Sequence, residues 1–113
     1  MPDATRLTVA NGLAALDATA GDEFVTLFRH GSLEVELYRP DGVDRQTPHR
    51  RDELYVIAAG RGSFVLEGER QPVEPGEVLF VPAGAAHRFV DFTDDFATWV
   101  FFYGPDGGEA DAR

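Results

Sequence analysis

Cysteine is absent from the 113 residues. That removes disulfides, thiolate metal sites and thiol nucleophiles together, and makes the cytoplasm the default expectation for location. Lysine is absent too: all 10 basic side chains are arginines, set against 20 Asp and Glu, for a formal net charge of −10. A surface of that sign repels a phosphate backbone, so no nucleic-acid partner is expected. Apart from the Arg50-Arg51 pair the arginines are scattered, and the acidity is accounted for by solubility. No run of about 18 apolar residues occurs, so no membrane-spanning helix is expected. The opening stretch MPDATRLTVANG lacks the basic-then-apolar order of a secretory signal.

What is present points to a folded chain. Apolar residues make up 43% and aromatics 12%, more than a disordered chain carries. The length suits one domain around one core. Good helix formers cluster only at residues 13–20, LAALDATA, followed by Gly21-Asp22 as a stop, which predicts one short N-terminal helix. Everything after reads as strand and turn. Phe24–Phe28 and Leu33–Tyr38 are separated by His30-Gly31-Ser32, and Arg39-Pro40-Asp41-Gly42 is a turn. Leu54–Ala59, Ser63–Leu66, Gln71–Glu74, Val78–Val81, His87–Phe92 and Phe96–Tyr103 follow, divided by Gly60-Arg61-Gly62, Glu67-Gly68-Glu69, Pro75-Gly76 and Pro82-Ala83-Gly84. About nine short strands broken by Gly and Pro turns have the rhythm of a β-sandwich or closed barrel. The division expected is an N-terminal extension over 1–22, a barrel over 23–105 and a polar tail over 106–113.

Two segments carry a family resemblance. In the second, Gly76 is followed after five residues by Pro82-Ala83-Gly84, then two residues, His87, and Asp91 after three more. In the first, His49 is followed after three residues by Glu53 and after six more by Gly60. Together they resemble the paired signature motifs of the cupin superfamily, over roughly residues 24–104. The resemblance implies an all-β fold, a double-stranded β-helix or jelly-roll barrel. It implies a metal site of His49, Glu53 and His87, and a homodimer in which an N-terminal segment packs on the barrel or across a dimer seam. Leu7, Val9, Leu13 and Leu16 are the apolar residues that segment needs to cover. The chain departs from the family at one position. Where His-x-His precedes the Glu, the earlier histidine is replaced by Thr47, so three of the four usual ligands remain.

The chemistry of those three residues supports the same reading. Two imidazoles and a carboxylate suit one divalent ion per chain, Fe, Mn, Ni or Zn, and leave coordination positions open to water or substrate. Four residues of straight strand span about 13 Å, so the chain must bend at Arg50-Arg51-Asp52 to bring His49 and Glu53 together. Gln46, Thr47 or water can fill the fourth position; a neutral amide or hydroxyl oxygen is a weak ligand for such ions. Tyr55 shares the strand face of Glu53, and Asp52 and Arg88 alternate away from their neighbouring ligands. His30 falls outside both motifs and reads as a turn or strand histidine. Most of the aromatic residues are expected to fill the barrel or the seam between sheets. Three classes of function remain open: a metal-dependent enzyme of oxygenase, isomerase or lyase type on a small-molecule substrate, a metal-containing binding module or sensor, and a metal-free small-molecule-binding cupin. No further acid–base residue is evident, and glycines 60, 76 and 84 are expected to include at least one at positive φ.

Overall fold

A computed structural model of the chain describes residues 6–19 and 21–110. The first five residues of the N-terminal extension, the expected helix end at Ala20 and the last three residues of the tail lie outside the described residues.

The helix, α1 (Val9–Asp17), begins earlier than Leu13 and ends before Ala20. Thr8 sets its start: its side-chain oxygen accepts a hydrogen bond from the Asn11 backbone N–H at 3.1 Å, satisfying one of the free donors of the first turn. Gly12, a poor helix former, is buried inside it because a Cβ there would stand 2.9 Å from Leu37 Cδ2. Packing against the sheet thus overrides local propensity. α1 lies on the first two strands of its own chain and buries Leu16, so the segment caps its own barrel.

Eight strands follow among the described residues, where about nine were expected: β1 (Phe24–His30), β2 (Leu33–Tyr38), β3 (Asp52–Ala59), β4 (Gly62–Leu66), β5 (Glu69–Val73), β6 (Val78–Val81), β7 (His87–Val90) and β8 (Ala97–Tyr103). No strand forms between β2 and β3, where Pro40 and Pro48 withhold ladder donors. One sheet has the order β1-β2-β8-β3-β6 and the other β5-β4-β7, and every pairing is antiparallel. Glu67 and Gly68, at φ 48° and 84°, join β4 to β5 in the two-residue turn that matches strand twist. Gly60, Gly76 and Gly84 have φ of 74°, 92° and 82°, so all three motif glycines sit in turns that a side chain would strain.

Alternation along the strands decides what faces the interior. Tyr55 and Ile57 of β3, Phe64 of β4, Phe89 of β7 and Val100 of β8 join Phe96 in the core between the sheets. The Phe89 ring centroid lies 4.9 Å from those of Tyr55 and Phe64 and 4.8 Å from that of Phe96. Several aromatic residues, Tyr103 among them, are instead on the outer face of the larger sheet. Trp99 and Phe101 pair with Leu37 and Val35 of β2 and with Val56 and Leu54 of β3, the outward set. Phe80, on the edge strand β6, is 48% exposed. Among the described residues no helix is long and apolar enough to cross a membrane.

Candidate metal centre

The two sheets and the loop before β3 each contribute to one end of the barrel. β3 alternates Glu53, Tyr55 and Ile57 inward, and β7 opens with His87 directly after the Pro82-Ala83-Gly84 turn. Two backbone contacts hold that turn. The Gly84 N–H donates to the His49 carbonyl at 2.8 Å, and the Ala83 N–H donates to Asp52 Oδ1 at 3.0 Å. Asp52 is buried but faces away from the cluster. Its other oxygen accepts from the Glu109 N–H at 2.8 Å, so it clamps the turn and the C-terminal segment to the start of β3. The chain bends at Arg50 and Arg51, as the spacing of His49 and Glu53 demands. Arg51 is tied back by Glu34 at 2.7 Å and by the Ser32 carbonyl.

His49, Glu53 and His87 come together, their ligand atoms all within 4.8 Å of one another. Glu53 Oε1 stands 3.8 Å from His49 Nε2 and 3.3 Å from His87 Nε2. The Glu53 and His87 side chains are wholly buried and that of His49 is 31% exposed. His87 donates through Nδ1 to the Ala85 carbonyl at 2.9 Å, since a carbonyl can only accept. In the neutral ring Nε2 presents a lone pair to a carboxylate oxygen, and in the protonated ring it presents an N–H. Both oxygens of Glu53 and Nε2 of His87 lack a hydrogen-bond partner. Buried lone pairs that face one another are costly unless a proton or a metal ion lies between them, and two imidazoles with a carboxylate whose ligand atoms converge in this way fit a metal ion.

Electrostatics follow from the same geometry. Burial pulls the His49 imidazole below its ordinary value, against the opposing pull of Glu53. Burial also works to lower His87, but the Glu53 carboxylate and the Ala85 carbonyl outweigh it and the net shift is upward. Metal binding at His87 would displace the proton from Nε2. Beside His49 opens a cavity of about 300 Å3, lined also by Glu36, Tyr38, Gln46, Val100, Phe102 and Phe24. A shallower one of about 260 Å3 lies across His49 and Phe102, with Arg50, Arg51, Glu34 and Asp106. The Phe102 ring packs edge-on against His49, centroids 4.9 Å apart.

Of the candidates for the fourth position, Thr47 is exposed, while Gln46 reaches inward, its Oε1 3.2 Å from His49 Nε2. Counting back two residues from His49 assumes a strand, and this loop is irregular, so the register slips by one. Glu36 and Asp44 were not singled out from the sequence. Glu36 was masked by the alternation of β2, and Asp44 looks like any solvated loop acid. His30 is exposed at the end of β1, and Arg88 points outward.

This is the fold of a cupin. A Cupin domain family model matches residues 34–103, and the chain belongs to that family. An uncharacterised protein of Streptomyces coelicolor is 33% identical over 96 residues, 83% of this chain and 91% of the relative. A glucose-6-phosphate isomerase of Pyrococcus abyssi is 40% identical over 63 residues, 51% of this chain but 33% of the isomerase. The crystal structure of the DMSP lyase DddQ from Ruegeria pomeroyi superposes with a TM-score of 0.64 at 25% identity, covering 88% of this chain and 55% of the lyase. The chain thus spans a third of that isomerase and about half of that lyase.

Proposed function

We propose that this chain is a metal-dependent enzyme for a small organic substrate, with one divalent ion, Fe, Mn, Ni or Zn, held by His49, Glu53 and His87. The observation that carries the reading is the pair of buried, unpartnered lone pairs on Glu53 Oε1 and His87 Nε2, 3.3 Å apart. The bound ion would supply Lewis-acid polarisation of a substrate group in its open positions. The chain's own residues provide the rest. Phe102 and Val100 form the apolar wall of the cavity beside His49, and Glu36 places a carboxyl group in it. That cavity has the size of a small metabolite. Relatives that act as an isomerase and a lyase support a small-molecule reaction without selecting one, because one cupin scaffold hosts many chemistries.

Elemental analysis of protein loaded in turn with the four ions provides the test. One ion per chain is expected, and His49→Ala or His87→Ala should remove most of it. A chain that takes up none of the four, or retains its ion in both variants, overturns the metal site. Turnover of a panel of hydroxy- and oxo-acids and sugar phosphates, abolished by chelation, would support the enzyme. One bound ion with tight substrate binding and no turnover would replace it with the sensor.

A further inference from the structure

Gln46 stands in the loop between β2 and β3, one residue before the position where the family motif places a histidine. Its amide has a defined orientation. Nε2 donates to Asp44 Oδ2 at 2.9 Å, and a carboxylate accepts only, so the NH2 end must face Asp44. The carbonyl end is thereby turned inward, where Oε1 accepts from the Tyr55 hydroxyl at 3.0 Å and lies 3.2 Å from His49 Nε2. Asp44 is itself fixed. It is only 5% exposed, and four donors satisfy it: the Tyr38 hydroxyl at 2.7 Å, the Gln46 N–H and Nε2 at 2.9 Å, and the Phe89 N–H at 2.8 Å. Phe89 is two residues past His87 on β7, so the same carboxylate ties the Gln46 loop to the strand that carries the second imidazole. A buried charge so fully partnered is stable in place. Through the Gln46 amide it aims a carbonyl oxygen at the metal cluster.

We infer that the Gln46 side-chain oxygen is the fourth protein ligand of the ion held by His49, Glu53 and His87, and that Asp44 is the positioning residue that keeps the oxygen, rather than the nitrogen, facing it. The donor set becomes two imidazoles and two oxygens, one charged and one neutral, which shifts preference toward ions that accept carbonyl oxygen readily, such as Mn2+. Water is then displaced from that position, and fewer positions remain for substrate. The inference rests on the proposed metal site, and the experiment separates the two.

Mn2+ and Co2+ are titrated into the wild type and into Gln46→Met, Gln46→Ala, Asp44→Asn and Tyr55→Phe, following affinity by calorimetry and coordination by the visible spectrum of the Co2+ form. Gln46→Met keeps the length of the side chain and removes the oxygen. Both Gln46 variants should bind about tenfold or more weakly and show an altered Co2+ spectrum, whereas Tyr55→Phe, which removes only a donor to that oxygen, should cost less than either and leave the Co2+ spectrum near that of the wild type. In the Gln46→Met background, Asp44→Asn should add no further loss, since it acts through the amide. Wild-type affinity and spectrum in both Gln46 variants would overturn the inference while leaving the metal site intact. Loss of affinity in Tyr55→Phe alone would assign the position to the phenol and overturn it as well. Should Asp44→Asn not fold, Gln46→Met decides the matter, and absence of binding in the wild type would instead refute the metal site itself.

Discussion

Glu36 carries the least comfortable charge of those that line the cavity. Burial, then the neighbouring Glu34 carboxylate, raise its pKa above the ordinary 4.5, and the Thr26 hydroxyl, 3.4 Å away, only partly offsets them. The folded chain therefore keeps this proton at a pH where the unfolded chain has released it. Stability from this group is intact below the unfolded value and declines as pH rises through the raised folded value; above that the cost is complete. In metal-free protein, Glu36→Gln should raise the melting temperature at pH 7.5, and the difference should close at about pH 4, near the unperturbed carboxyl range. A variant that melts no higher than the wild type at pH 7.5 would contradict the assignment of strain. Residues of this kind set the limit of sequence reading. His49, Glu53 and His87 were legible because a motif spaces them and because two of only three histidines fall on it. Gln46 and Thr47 are equal candidates in the sequence, because spacing alone cannot say which residue of an irregular loop turns inward. Asp44 was illegible: an acid buried by four hydrogen bonds has the same local sequence as one in water.

At the scale of elements, turns were the more readable feature and the helix the less. Pro and Gly mark reversals through backbone sterics alone, so the boundaries of β3, β4, β6 and β7 fall within a residue or two of where the turn residues place them. α1 depends on what it covers, and Gly12 sits within it for Leu37's sake, which no local propensity reveals. The inner and outer faces of β6 and β8 were unreadable for a similar reason, since Phe80, Trp99, Phe101 and Phe102 are equally apolar whichever way they point. The motif glycines now separate by environment. At Gly60, φ is 74° and a Cβ would meet Phe96 Cα and Thr93 Oγ1 at 2.6 Å; at Gly84, φ is 82° with nothing within 4 Å. Gly84→Ala should thus cost about 1 kcal/mol of backbone strain, with the His87 ligand shifted slightly by its turn. Gly60→Ala adds a clash with a backbone that cannot yield, and should cost about 3 kcal/mol or more. Denaturant unfolding of both variants checks the order. Equal losses would mean that the β3–β4 turn relaxes freely away from Phe96.

For the whole molecule, the site is where separate parts of the fold meet. Glu53 belongs to the larger sheet, His87 to the smaller, and His49 to the loop that Asp44 and Gly84 tie to both. An ion bound there joins three regions that already touch through apolar packing and through the hydrogen bonds of Asp44, Asp52 and Gly84, and it binds only the folded arrangement. Folding stability must then rise with metal concentration as RT ln(1 + [M]/Kd), about 2.7 kcal/mol at a hundredfold excess over Kd. For a chain of 113 residues, an unfolding entropy of about 2 cal/mol/K per residue converts that to a rise of roughly 10 °C in melting temperature. The bound ion also ends the mutual exposure of lone pairs between Glu53 and His87. That relief is part of the affinity, so it is already counted within the same rise. Thermal unfolding of chelator-treated protein, with and without a hundredfold excess of the tightest-binding ion, measures the shift. In His87→Ala the same excess should move the melting temperature little, because one of the facing lone pairs is gone and two of the ligands no longer belong to opposite sheets. An equal rise in that variant would place the stabilising ion elsewhere on this acidic surface and would separate metal binding from the junction of the two sheets.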